Sequence, residues 1–191
     1  YEGLDIDSAL HDAYAWALMS SDEGMTLIRS SEQRYRAKYE LRRQSKFDGA
    51  ELCRRLGDGE YRFPFLIYRE YVSGGTNLSM ANEGFSHPCT LAVANGVGMV
   101  RLHPVDLSAR SQMTGREMNG RVRRLMYLDG STFAPAYDDG RAISFPARTL
   151  HFLNIGSGVG QILHGSVCLR MQCSVGTKHM PESTAIFTIL I

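Results

Sequence analysis

Apolar residues recur every three or four positions through the first third of the chain and at every second position through much of the remainder. That pattern predicts helices up to about residue 57 and strands beyond residue 61. From Asp5 to about Ser20, Leu10, Tyr14, Ala17 and Leu18 fall on one helical face, and Asp7 or Ser8 is placed to cap the first turn. Ala13, Ala15 and Trp16 lie off that stripe, which points to a helix covered on more than one side. A second helix begins at Ser21 or Asp22 and carries Met25, Ile28, Tyr35 and Tyr39 at helical spacing. Asp48-x-x-Glu51 has the form of a capping box; Leu52, Cys53 and Leu56 come after it, and Gly57 ends this third, short helix.

The period then changes from four to two. Tyr61 to Val72 is rich in aromatic and β-branched residues and predicts one strand, with Pro64 placing its start at a sheet edge. Asn95-Gly96 is the strongest local signal, because a two-residue type I′ turn needs positive φ at both central positions. Cys89–Ala94 and Val97–Leu102 should therefore pair, with Cys89, Leu91 and Val93 sharing a face with Leu102, Val100 and Gly98, and with Thr90 opposite Arg101. Asp129-Gly130 and Asp138-Asp139-Gly140 predict two more hairpins, joining Val122–Leu128 to Phe133–Tyr137 and the latter to Ala142–Phe145. Thr149–Ile155 is a further strand. From Ser166 to Val175, Val167, Leu169, Met171, Cys173 and Val175 alternate with Ser166, Cys168, Arg170, Gln172 and Ser174. Thr184–Ile191 is apolar on both faces, which predicts a strand central in a sheet or covered by another subunit. Leu107–Gly120 is open between a short helix and a loop.

Eight or nine strands joined by short turns, behind a helical segment, define the expected fold class: α+β, mainly β, with an antiparallel sandwich or barrel of possible jelly-roll type. With 191 residues and 43% of them apolar, one domain suffices, made of a helical segment over 1–57 and a β body over 61–191. No apolar run reaches the roughly 18 residues of a membrane-spanning helix. Cys53, Cys89, Cys168 and Cys173 form no CxxC pair and no secreted disulfide framework. They are expected to be free thiols in a reducing compartment, the cytoplasm or an organelle matrix, or else in a virion.

Phe152-Leu153-Asn154-Ile155-Gly156-Ser157-Gly158-Val159-Gly160 resembles the first motif of class I S-adenosylmethionine-dependent methyltransferases, in the form found among relatives of the protein-isoaspartate methyltransferases. The resemblance implies a Rossmann-like domain with further βα units. It covers nine residues, and the 31 residues after Gly160 read as strands, so the expectation from the residues themselves is a Gly-rich turn that touches no cofactor. Asp138-Asp139 reads first as a turn, and the six histidines show no HxxxH and no partner cysteine at zinc spacing. Nucleophile elbows and phosphate-binding loops are absent from the sequence. No catalytic residue, metal ligand or cofactor is assigned.

Charge changes this picture in one place. Basic residues comprise 18 Arg and 3 Lys, and between Arg29 and Lys46 there are seven cations (Arg29, Arg34, Arg36, Lys38, Arg42, Arg43 and Lys46) against Glu32 and Glu40. At ~100° per residue, Arg29, Arg36 and Arg43 form one ridge and Arg34, Lys38 and Arg42 a second, on the far side of the tyrosines. These seven residues have three possible roles: contacts with RNA, contacts with an acidic protein surface, or a solvated helix paired with the acidic remainder of the chain. Taken with the lack of catalytic motifs, they point first to a non-catalytic structural subunit of a larger assembly, of viral-coat type or of an organellar ribosome or respiratory complex, oligomeric or bound to other subunits. A small-molecule-binding protein or enzyme of hot-dog or barrel type, with a pocket between sheet and helix, is the alternative; a methyltransferase-like protein is a third.

Overall fold

The computed structural model describes residues 5–19, 21–71, 77–110, 117–175, 178–179 and 182–191. Three helices come first: α1 (Ile6–Met19), α2 (Asp22–Leu41) and α3 (Gly49–Leu56). The strands in chain order are β1 (Lys46–Asp48), β2 (Gly59–Phe63), β3 (Phe65–Arg69), β4 (Cys89–Ala94), β5 (Val97–Leu102), β6 (Leu107–Arg110) and β7 (Glu117–Asp129), then β8 (Thr132–Pro135), β9 (Tyr137–Asp138), β10 (Ile143–Pro146), β11 (His151–Ile155), β12 (Ile162–Val175), β13 (Lys178–His179) and β14 (Ser183–Leu190). They build two antiparallel sheets. One has the order β2-β4-β5-β10-β9; the other runs β1-β11-β12-β14-β3, with β7 also on β12 and β6 and β8 on β7. The expected class, mainly β behind a helical segment, is the class observed.

The Asn95-Gly96 turn forms as the dipeptide requires, with φ of 51° and 74°. β4 and β5 pair in the predicted register, Thr90 opposite Arg101 and Leu91 opposite Val100, and Leu91, Val93, Val100 and Leu102 are buried. Alternation places these side chains on one face because successive residues of a strand point to opposite sides. Phe145 brings the two sheets together: its ring meets Phe187 edge-on at 5.6 Å and Tyr127 at 5.9 Å, while Phe187 stacks on Phe65 at 5.4 Å. These arrangements fall in the preferred range for aromatic pairs, and they join β10 of the smaller sheet to β7, β14 and β3 of the larger.

Several expectations are corrected. Tyr61–Val72 is two strands rather than one: β2 pairs with β4 in the smaller sheet, β3 pairs with β14 in the larger, and Pro64 lies at the crossing. A proline has no N–H to give to a ladder, so this is where the chain most easily leaves one sheet for the other. Leu107–Gly120 contributes the paired strands β6 and β7. β12 begins four residues earlier than predicted, and a register shift between Gln172 and Cys173 interrupts its alternation, which buries Ser174. β14 lies inside the larger sheet between β12 and β3, the first of the two placements expected for it. Residues 20, 72, 111–116, 176–177 and 180–181 of the predicted elements and loops lie outside the described residues.

Caps define the helices. Asp5, rather than Asp7 or Ser8, caps α1, accepting from the Ser8 amide at 3.0 Å. Ser21 caps α2 and Asp48 caps α3, accepting from the amides of Gly24 and Glu51. Glu51 does not close the capping box but pairs with Arg54 and Arg55 one turn on. α3 buries Leu52, Cys53 and Leu56 against α2 and β5, and packs so close that a Cβ on Gly98 would lie 2.3 Å from Cys53 Sγ. The face α2 turns inward is a further correction: Ala37 and Leu41 are buried, whereas Ile28, Tyr35 and Tyr39 of the predicted stripe are exposed. Leu10, Tyr14 and Trp16 of α1 are exposed as well.

Candidate functional site

The last two turns of α2 form one wall of a cleft of about 600 Å³. Arg34, Tyr35, Lys38, Tyr39 and Arg42 face it, as the i, i+4 spacing of Arg34, Lys38 and Arg42 dictates. Opposite them lie Phe63 and Pro64, at the point where the chain passes between sheets, together with Leu190 and Ile191 at the end of β14. The floor is the turn between β11 and β12, through Gly158 and Gln161.

Backbone chemistry fixes the helix against that turn. A helix ends with carbonyls that have no partner of their own. The Arg42 carbonyl accepts from Gln161 Nε2 at 2.9 Å and from Asn154 Nδ2, and the Ser45 carbonyl accepts from the Asn154 amide at 3.1 Å. At the other end of the wall, Arg34 Nη1 donates to the Arg62 carbonyl at 3.0 Å and its guanidinium lies 5.8 Å from the Phe63 ring centroid. Tyr61 secures the same region from below, its hydroxyl lying 2.7 Å from Gln33 Oε1 and 3.1 Å from the Gly57 carbonyl. The cleft is thus held at both ends by hydrogen bonds to residues far away in sequence.

Three cations share this concavity. The Arg42 guanidinium lies 3.7 Å from the centre of the Tyr39 ring, a cation–π contact that holds it flat against the wall. Lys38 is half-buried, and among the described residues neither Arg34, Lys38 nor Arg42 pairs with a carboxylate. Glu40, one of the two acids of the segment, is engaged by Arg55 at 3.0 Å on the α3 side. Apolar walls reduce screening by water and concentrate the positive field in the cleft. Such a site favours an anionic group beside a flat apolar body. Among the described lining residues no side chain is a carboxylate, imidazole, thiol or serine hydroxyl, so the side chains of the wall offer binding groups and no nucleophile or general base of those kinds.

The seven cations singled out in the sequence therefore separate. Arg34, Lys38 and Arg42 come together at the cleft; Arg29, Arg36 and Arg43 are exposed and absent from its lining; Lys46 is off the helix, in β1 beside β11. The sequence held no sign of the opposite wall, because Phe63, Pro64, Gln161, Leu190 and Ile191 come from three distant segments. The Gly-rich stretch 156–160 closes the β11–β12 hairpin, and β12 rather than a helix comes after it, so the methyltransferase resemblance does not extend to the fold. Asp138 and Asp139 form the expected turn, Asp139 accepting from the amides of Arg141 and Ala142. Burial pushes the thiol of Cys53 up to about 11 and that of Cys89 up to about 12, so both are protonated at neutral pH. No cluster of three or more potential metal ligands occurs among the described residues, and none of their helices is long and apolar enough to cross a membrane.

No protein-family model and no curated protein matches the chain. Among solved structures it is similar to the NEAT5 domain of IsdX2, a B. anthracis hemophore, in complex with heme, at 13% identity over 70% of this chain and 96% of that one, with a TM-score of 0.45. A mutant of the same domain in complex with heme is similar at 13% identity over 70% of this chain and 95% of that one, with a TM-score of 0.44. The expectation of a structural assembly subunit with an RNA-binding arm is corrected by the geometry: three of the seven cations of the basic segment line a concave cleft.

Proposed function

We propose that the chain is a small-molecule-binding protein whose ligand carries a carboxylate or phosphate on a flat apolar body and sits in the cleft beside α2. The observation that carries this reading is the convergence of Arg34, Lys38 and Arg42, none of them paired with an acid among the described residues, with Tyr35, Tyr39, Phe63 and Leu190 around one cavity. Its size suits a single ligand, since such sites generally enclose about 300–1,000 Å³. The cations supply charge-assisted hydrogen bonds and the rings an apolar, stacking surface.

Titration with anilinonaphthalene sulfonate and with hemin, two flat apolar anions of different size, tests it, with a neutral naphthalene derivative as control. At least one of the anions should bind in a salt-sensitive manner. Lys38→Gln and Arg42→Gln should each weaken that anion by about ten- to a hundredfold, as expected for a lost hydrogen bond to a charged group worth about 1.5–3 kcal/mol, and leave the neutral compound unaffected. Anion affinity indifferent to both substitutions would sink the proposal.

A further inference from the structure

The cleft leaves the other half of the cationic pattern unused. Tyr35 and Tyr39 separate two ridges of α2, and only Arg34, Lys38 and Arg42 border the cleft. On the far side Arg29 and Arg36 stand about 10 Å apart along the helix, with Arg43 in the turn that comes after it, all exposed and none paired with an acid among the described residues. Between the ridges runs an uncovered stripe: Ile28 is 45% exposed, Tyr39 58% and Tyr35 80%. So α2 presents to solvent an apolar stripe bordered on both sides by positive charge, with the exposed Glu32 at the edge of the outer ridge.

α1 presents the complement. At ~100° per residue, Ile6, Ala9, Leu10, Ala13, Tyr14, Trp16 and Ala17 occupy one contiguous face, and its large side chains are all more than half exposed. Asp7 borders that face on one side and Asp5 and Asp12 on the other, and no Lys or Arg occurs from Asp5 to Met19. Nothing among the described residues covers this helix, and isolated helices shorter than about 12–15 residues are marginal in water. Three alanines down the middle of the face allow another helix to approach closely.

We propose that α1 of one copy docks on the outer stripe of α2 of a second copy, and reciprocally, so that the protein forms a two-fold dimer through its helical arms. Opposite charges meet along the outer border, where acids at the edge of the α1 face meet the ridge of Arg29, Arg36 and Arg43. Such an exchange is self-complementary, as an isologous interface must be. Counting the exposed parts of Ile6, Leu10, Tyr14, Trp16, Ile28, Tyr35 and Tyr39, each copy offers on the order of 800 Å² of mostly apolar surface, the amount per partner in a standard stable interface. The dimer rests on α1 and the outer ridge of α2 and the ligand reading on the cleft cations; the two surfaces share only the rings of Tyr35 and Tyr39 at the border of the cleft.

Trp16 is the sole tryptophan and reports on the interface directly. Light scattering and tryptophan emission over a concentration series should show a dimer whose emission shifts to the blue as it forms. Leu10→Asp combined with Tyr14→Asp should give a folded monomer with solvent-exposed emission, because α1 lies outside the core. Asp7→Lys with Asp12→Lys should weaken the dimer by about tenfold or more, and adding Arg29→Glu and Arg36→Glu, which reverse the ridge that one of these two positions faces, should restore part of the loss. A wild-type monomer with exposed tryptophan at every concentration overturns the proposal; so does a monomer with concentration-independent blue emission, which would mean that α1 folds back on its own α2. A dimer that survives the Leu10 and Tyr14 substitutions, or a charge swap without rescue, overturns it equally. Lys38→Gln and Arg42→Gln, which test the cleft, should leave the association in place, so failure of one proposal is distinguishable from failure of the other.

Discussion

α3 and α1 are both short helices with an aspartate cap and an apolar face, yet one is the best-packed helix of the molecule and the other stands in solvent. α3 buries Leu52, Cys53 and Leu56 completely and touches α2, β5 and the turn before β11. α1 leaves Leu10, Tyr14 and Trp16 between 51% and 70% exposed. Amphipathic spacing thus says that a face seeks a cover and does not say what the cover is. For α3 the neighbouring elements supply it; for α1 they do not, and the difference lies in the packing rather than in the helix.

The sharpest way to break the comparison is to truncate both faces. Leu52→Ala removes a fully buried side chain and should cost about 2–5 kcal/mol in urea unfolding, in line with other large-to-small changes in cores. Leu10→Ala, measured on monomer at low concentration, should change stability by less than about 0.5 kcal/mol. An equal effect at both sites would show that α1 is packed after all. Overpacking gives the next largest effect: Gly98→Ala forces a methyl group to within 2.3 Å of Cys53 Sγ and should cost about 1–3 kcal/mol, whereas Gly140→Ala, with open space around it, tests only the strain of φ +83°. Combining Gly98→Ala with Cys53→Ala should recover part of the loss.

The helix caps refine the contrast. Asp48→Ala should destabilise the protein by about 1 kcal/mol, since the Glu51 amide at 2.8 Å then loses its acceptor at the start of a helix that belongs to the core. Asp5→Ala removes a cap of similar geometry but from a helix whose unravelling exposes little new surface. Its effect should show in helix content by circular dichroism and scarcely at all in the unfolding midpoint.

Local chemistry was legible in the sequence and long-range placement was not. Asn95-Gly96 dictated a hairpin down to its register, and Asp48 and Gly57 bounded α3, because the deciding atoms lie within a few residues of each other. The two cationic ridges of α2 were legible as well, being a matter of helical angle alone. Which side of α2 is inside was not: the inward residues are Ala37 and Leu41, and Ala37 is too small to stand out against three large apolar side chains on the outward side. The split of Tyr61–Val72 between two sheets was marked by Pro64, but the same proline also fits the start of an edge strand. The cleft itself could not be read, since its walls are brought together by β12 and β3 pairing with β14, and the β3 ladder joins residues more than a hundred positions apart.

The smallest effect concerns charge on α3. Arg54 and Arg55 both hydrogen-bond Glu51, at 3.0–3.1 Å for the Arg55 contacts, and hold its carboxyl below the ordinary glutamate value of 4.5. A carboxylate whose folded value is depressed binds fewer protons folded than unfolded in the interval between the two values, so its contribution is fully present above about pH 4.5 and is lost as the pH falls through the lower, folded value. The arginines are largely exposed, and solvent screening keeps the contribution small. Glu51→Gln should therefore leave stability near neutrality slightly reduced and flatten its decline below pH 4.5, as followed by urea midpoints across an acid series. Asp7→Asn, on a helix that is not packed on the core, is the control. An identical acid response in the two variants would show that the arginine clamp on Glu51 does not contribute to holding α3 in place.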